Sequence, residues 1–469
     1  MAKILDIEDT LRQIVKDEDA KGRLKEDYFT DEVKSVSHRL RDLRANYRNH
    51  KSIELKQKVL AESESLADLK AKEVEVVIAR VKKRVDISIN DECEVNGKTV
   101  YRCNNLDTLL VSKYIMRDLV ENYHITTGDR NAIVEELYVL LNNNTPKMVI
   151  RSDISSFFES IPHEPLLKYL EEDSRISTYS LKYLRLFLGR YNALLSKDDP
   201  KAVVGVGLPR GLCFSSVLSE IYLTALDIQL KHNSGILFYK RYVDDIIMLA
   251  PSYFEGEKII ASIREALLSI DLRMNEEKSA AIKISDDMAE TATFTYLGYK
   301  FVVGSNGAEL HLSERKCNKY KYLVDQIFAK YDRSSHYRSR KSSNGRKKMD
   351  ALVVLKRELD VLTGNGSLNR KKHFIKTGVY YSNKLLTNLE ELDELDRYLE
   401  TKICELTPAR NLFQYNGEDQ YEARVDNWKR VLRKYSFMDG FEKKRMCVFE
   451  AYTEVLTTLK KIYNNWNNE

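Results

Sequence analysis

The stretch Phe238-Tyr239-Lys240-Arg241-Tyr242-Val243-Asp244-Asp245-Ile246-Ile247-Met248-Leu249-Ala250 constrains this chain most. Aromatic and apolar residues lead up to two adjacent carboxylates, and an unbroken apolar run follows them. Both flanks read as short buried strands, which puts the acids at the tip of a hairpin carried by a sheet. A bare Asp-Asp is most often a solvated turn, because turns favour Asp. Between two hydrophobic strands that account weakens. Adjacent acids repel each other, and hard divalent cations prefer oxygen ligands. The pattern predicts a cation site on a rigid support.

With 469 residues the chain is long enough for two to four domain-sized units. Its formal charge of +5 makes it no polycation, so any nucleic-acid footprint must come from local clustering. The six cysteines are scattered with no Cys-x-x-Cys pair, which points away from a zinc site or a disulfide framework. Acids interrupt the first residues where a signal peptide needs an apolar core, and no apolar run is long enough to span a bilayer. A cytoplasmic protein without membrane contact is expected.

Four further stretches accompany the acidic hairpin. In Lys147-Met148-Val149-Ile150-Arg151-Ser152-Asp153-Ile154-Ser155-Ser156-Phe157-Phe158, a β-branched strand delivers Asp153 at its end, with Phe158 five residues on. Gly207-Leu208-Pro209-Arg210-Gly211 makes a flexible loop where backbone approaches a ligand closely, ahead of an apolar helix running to about Leu230. A helix from about Gly256 to Ile270 leads into Leu272-Arg273-Met274-Asn275-Glu276-Glu277-Lys278. Last comes Phe294-Thr295-Tyr296-Leu297-Gly298-Tyr299.

These five elements, in this order over residues 147–303, resemble the catalytic core of reverse transcriptases. Asp153-Ile154 with Phe157-Phe158-Glu159-Ser160-Ile161, the Gly207–Gly211 loop with Arg241-Tyr242-Val243-Asp244-Asp245, and Arg130 heading a helix narrow the resemblance. They are similar to the bacterial unknown-group and abortive-infection class, the defence-associated reverse transcriptases. The resemblance implies an α+β right-hand polymerase: a helical extension over 1–86, fingers over 87–146, a palm over 147–303, and a helical thumb and C-terminal region over 304–469. It implies two Mg2+ ions, with Mn2+ as a substitute, held by Asp153, Ile154, Asp244 and Asp245, and Lys278 near the departing pyrophosphate. Phe158 would lie under the incoming sugar, where a bulky ring leaves no room for a 2′-hydroxyl. Arg210, Gly211, Lys113 and Arg130 would meet the nucleotide, and Tyr242, Val243, Leu297 and Gly298 the primer and template. The family often has Gln at the Arg210 position.

Its implied partners are dNTPs, a DNA product and an RNA template, which for this class includes a dedicated noncoding RNA, with a homo-oligomer or a partner defence protein as further possibilities. Untemplated, protein-primed DNA synthesis is the alternative within the class; among 28 tyrosines no priming residue stands out. The alternative of another kind is a catalytically inactive RNA-binding scaffold. Between Arg315 and Lys348, twelve Lys or Arg face two Asp, with tyrosines interleaved, which suits a surface tracking a nucleic-acid strand or a solvated loop. In the N-terminal extension, Arg39, Arg41, Arg44 and Arg48 offer a basic helical face for RNA.

Overall fold

The computed structural model describes residues 6–95, 97–125, 128–143, 145–198, 203–232, 235–285, 291–304, 307–335, 351–370, 373–406, 418–447, 455, 456 and 459. The chain divides into two compact units. The first comprises residues 1–127, 150–250 and 254–281, and the second residues 128–149, 251–253 and 282–469. The α+β class read from the sequence is observed, with helices dominating and the paired hairpin strands antiparallel.

In the first unit, helices Ile7–Ala20, Asp31–Asn49 and Ile53–Lys83 bury Leu11, Ile14, Val33, Val36, Leu40, Val77 and Ile78 against one another. Two of the four arginines of the expected basic face are ion-paired, Arg39 with Glu62 and Arg41 with Glu26. The hairpin Ile89–Val95 and Lys98–Cys103 follows, and then the helix Leu106–Tyr123, capped by the Asn105 side chain. This helix is buried on most of its surface and packs on both Ile7–Ala20 and the long helix Thr178–Asp198.

The strands Phe238–Tyr242, Asp245–Pro251, Lys147–Asp153 and Ala280–Ile284 lie side by side in that order. Ile246 to Ala250 and Val149 to Ile150 are fully or almost fully buried, as continuous apolar runs in a covered sheet should be. The apolar helix expected to run to Leu230 is broken at Leu223 into Ser215–Tyr222 and Thr224–Lys231.

The second unit holds the helix Arg130–Leu141 and a three-stranded antiparallel sheet of Ala292–Tyr296, Tyr299–Gly304 and Gly307–Leu312, in which Phe294 and Phe301 stack at 4.8 Å. The helix Glu314–Ser335 packs against Ala351–Thr363 and Glu390–Glu405. The region after residue 304, expected to be helical, also contains the antiparallel hairpin Asn365–Arg370 and His373–Gly378. Asn365-Gly366 thus opens a strand as well as ending a helix. The expected basic segment 315–348 lies outside the described residues beyond Ser335. Among the described residues no helix is long and apolar enough to cross a membrane. All six cysteines are free thiols.

Candidate active site

The acidic hairpin is a two-residue turn: Tyr242 pairs with Asp245, leaving Val243 and Asp244 at the tip. Val243 stands at φ +58. The first central residue of such a turn is normally glycine when φ is positive, and a β-branched residue there is an outlier held by its surroundings. Arg241 supplies the hold. Its side chain is 6% exposed, donates from Nη1 to Val243 O at 2.7 Å, and pairs with Asp227 at 2.7 Å and Glu220 at 2.8 Å. The hairpin tip is thereby tied to the two helices that follow the glycine loop.

Asp153 ends its strand and is 5% exposed. The next residue, Ile154, donates its backbone N–H to Asp244 O at 3.2 Å, so the two acids, remote in the chain, are neighbours. Asn275 N–H donates to Asp153 O at 2.8 Å, and its side chain donates to Asp153 Oδ2 at 3.2 Å. Lys278 Nζ donates to the same Oδ2 at 3.1 Å. Arg264 grips Glu276 through both oxygens and so anchors the short turn Glu276–Lys278 that carries this lysine. Arg151, two residues before Asp153 and on the same face of its strand, meets Asp245 Oδ1 at 3.2 Å.

Burial pushes the Asp244 carboxyl above its ordinary value, and the charges of Asp153 and Asp245 push it further. Burial also raises Asp245, against the pull of Arg151. Such a cluster needs positive charge. Among the described residues no three His, Cys, Asp or Glu side chains are arranged as a ready metal site. The carboxylates face cations of the chain instead, Asp153 with Lys278 and Asp245 with Arg151. The chemistry of the donor set, three neighbouring carboxylates of which Asp153 is buried and the other two half-buried, suits a hard divalent ion.

Phe158 sits in the short helical turn Phe157–Ser160. Leu208 N–H donates to Phe158 O at 2.7 Å and Gly207 N–H to Ile161 O at 2.8 Å, which straps the glycine loop to the turn Phe157–Ser160. The Arg210 guanidinium lies 4.9 Å from the Phe158 ring centroid and pairs with Glu159 at 2.6 Å. Glu159 gives a reason for arginine at this position, since a neutral glutamine would leave that carboxylate only the more distant Lys98, at 3.7 Å. Arg210 O accepts from Tyr101 N–H at 2.7 Å, which brings the loop so close to a strand that Gly211, at φ +92, has no space for a side chain.

Asp153, Asp244, Asp245 and Lys278 are brought together, with Ile154, Tyr242 and Val243 adjoining them and Phe158, Arg210 and Gly211 clustered around their own loop. Lys113 is held elsewhere, by buried Glu18 at 3.3 Å. Arg130, Leu297 and Gly298 belong to the second unit, where Arg130 donates to Leu297 O at 2.8 Å. His163, read as structural, is buried with Nε2 2.6 Å from Gly207 O. Sequence reasoning missed Arg151, Asn275, Glu159, Glu220 and Asp227. Arg151 and Asn275 left local signals, the first two residues before Asp153 on a strand and the second three residues before Lys278 in the stretch Leu272–Lys278.

Residues 101–301 match the family described as reverse transcriptase (RNA-dependent DNA polymerase). No curated protein sequence matches the chain. Among solved structures the chain is similar to telomerase from Candida albicans in complex with a TWJ fragment of telomeric RNA, at 12% identity and TM-score 0.32, covering 75% of this chain and 54% of that one. It is also similar to telomerase from Candida tropicalis in complex with a TWJ fragment of telomeric RNA, at 11% identity and TM-score 0.33, covering 86% and 68%. The chain spans about half the length of the Candida albicans telomerase. Residues 101–301 are therefore a reverse transcriptase domain, the nucleotidyltransferase module of RNA-directed DNA polymerases.

Proposed function

We propose that this chain is an active, Mg2+-dependent RNA-directed DNA polymerase, with Asp153, Asp244 and Asp245 as its metal-holding acids. The observation that carries this reading is the junction of Ile154 N–H with Asp244 O, which sets Asp153 beside the hairpin inside a reverse transcriptase domain. When bound, two divalent ions would activate a 3′-hydroxyl and stabilise the leaving pyrophosphate. The chain's own residues prepare that chemistry. Asn275 and Lys278 orient the Asp153 carboxylate, and Arg151 orients that of Asp245. The Lys278 side chain, 57% exposed, has the freedom to swing from Asp153 and give a proton to the departing phosphate oxygen. Phe158 presents a ring with no hydrogen-bond partner for a 2′-hydroxyl, which favours dNTPs.

Residues 147–303 would form the palm, with fingers before and thumb after it. Antiphage defence, templated by an associated noncoding RNA, is the cellular role we infer, and it is supported by the resemblance of the ordered motifs. The test is extension of a DNA primer on an RNA template by purified protein with Mg2+ and labelled dNTPs. Asp244→Asn with Asp245→Asn is expected to abolish it, and template-dependent incorporation by that variant would refute the assignment. Phage plating on cells carrying wild type or the same variant tests the cellular role; equal plating would overturn it.

A further inference from the structure

The three N-terminal helices of the first unit border a cavity of about 620 Å³ that shares no residue with the candidate active site. One wall is a single face of the helix Ile53–Lys83, where Ser63, Leu66, Ala67, Lys70, Ala71 and Val74 recur at three- and four-residue spacing. Val15 of the helix Ile7–Ala20 adds to it, as do Leu24 and Phe29 of the connection that follows that helix. Alanine at 67 and 71 keeps the wall low, so the face does not fill the space in front of it.

Cations from all three helices join this aliphatic lining: Lys16 from Ile7–Ala20, Arg44 from Asp31–Asn49 and Lys70 from Ile53–Lys83. Among the described residues none of these three is ion-paired, and the Lys70 ammonium rests 5.2 Å from the Phe29 ring centroid. Neighbouring arginines of the same helices are answered by carboxylates, Arg12 by Glu8 and Glu75, Arg39 by Glu62 and Arg41 by Glu26. Asp19 is the one lining carboxylate outside those pairs, so the lining carries more positive charge than negative.

We propose that this cavity binds a small amphipathic anion, with an alkyl or acyl body against the aliphatic lining and one carboxylate or phosphate head among Lys16, Arg44 and Lys70. Its volume lies within the range of about 300–1,000 Å³ of small-molecule sites, which are mainly apolar with a few converging polar groups. The walls select an alkyl body over a nucleobase. Phe29, the only ring in the lining, is 4% exposed with Lys70 beside it, so no ring face is open for a base to stack on. Ser63 is the only neutral polar side chain there, too few to read the edge of a base. Charge selects an anion over a neutral alcohol, because the three unpaired cations gain a partner only from a charged head. The site does not depend on the polymerase reading.

The test is isothermal titration calorimetry of the full chain with sodium laurate and dodecyl phosphate, each below its micelle concentration. Octanoate, decanoate, octanol and AMP are the comparison arms. Laurate and dodecyl phosphate should bind saturably at a single site, and affinity should rise about two- to four-fold per methylene from octanoate to laurate. Arg44→Gln with Lys16→Gln should weaken laurate about three- to ten-fold, as the loss of two exposed charge contacts does. Ala67→Phe, which fills the cavity from an exposed helix position, should abolish binding with the helical circular dichroism unchanged. Ala71→Leu on the same face takes its place if that signal is lost. Arg48→Gln, a charge change outside the lining, should leave binding as it is. No saturable laurate binding by wild type would overturn the site, and so would undiminished binding by the filled variant. Octanol binding as tightly as octanoate would remove the cations from it, and AMP binding without laurate binding would overturn the alkyl body.

Discussion

Arg241 donates from Nη1 to the carbonyl oxygen of Val243 at 2.7 Å, and Val243 is the hairpin residue that stands at φ +58. A β-branched residue held there stores on the order of 1–3 kcal/mol of strain. Arg241 is the anchor that keeps it, and its own charge is balanced by Glu220 and Asp227. Arg241→Met should leave both carboxylates without their cation and cost about 2–4 kcal/mol of stability, discounted from a fully buried pair because the acids are partly exposed. Primer extension should show kcat falling about ten-fold or more with dNTP KM nearly unchanged, since the tip carries Asp244 and no part of the nucleotide pocket. Arg241→Lys should recover part of kcat. A rise in KM at constant kcat would sink the anchor role.

The raised carboxyls of Asp244 and Asp245 link activity to stability in opposite senses. A folded-state pKa above the ordinary 3.8 means the native state binds more protons than the unfolded chain between 3.8 and the raised value. Stability therefore falls as pH rises through that window and stays lower above it. Asp244→Asn with Asp245→Asn should abolish synthesis yet raise the melting temperature at neutral pH, by about 2–4 °C per kcal/mol relieved. That gain should shrink as pH falls towards 3.8. Mg2+ should raise the melting temperature of wild type and not of the variant. A variant that melts lower at neutral pH would contradict the electrostatic account.

Phe158 and Arg210 are stacked at 4.9 Å, and Glu159 holds the guanidinium in place. Phe158→Val should open space for a 2′-hydroxyl and narrow the preference for dNTP over rNTP by about 10–100-fold, the scale on which an apolar wall rejects an added hydroxyl. The ratio of kcat/KM for the two nucleotides reads this directly. Unchanged discrimination would remove Phe158 from the sugar pocket.

Legibility in the sequence followed the range of each interaction. Asp153, Asp244 and Asp245 could be found because each lies at or beside the end of a strand whose apolar run marks it locally: Asp153 ends one, Asp245 begins another and Asp244 sits in the turn before it. Partners such as Glu220 could not, because an ion pair like Arg241–Glu220 joins separate segments and leaves no period in either. Lys113 looked free for a phosphate for the same reason: Glu18 lies far back in the chain. The helix Thr178–Asp198 is a different kind of miss. Its buried Ser180, Tyr183, Leu184, Phe187, Leu188 and Tyr191 repeat at helical spacing, so the signal was present and only the absence of a motif hid it. The break at Leu223 had no such signal, since neither Gly nor Pro marks it.

Gly211 offers the sharpest packing test. Its φ is +92, and a Cβ there would stand 2.6 Å from Val100 Cγ1 and closer still to Tyr101 O. That carbonyl belongs to the strand whose amide holds Arg210, so relief would pull the loop from its support. Gly205 is the control. Its φ is +83, and nothing lies within 4 Å of the same added atom. Gly205→Ala should therefore cost only the left-handed backbone penalty of about 1–2 kcal/mol. Gly211→Ala should cost about 3–5 kcal/mol, because backbone strain and a clash with main chain add. Chemical denaturation of the two variants separates the contributions. Equal losses would mean that conformation alone sets glycine at 211, and that the loop does not depend on its contact with the strand Lys98–Cys103.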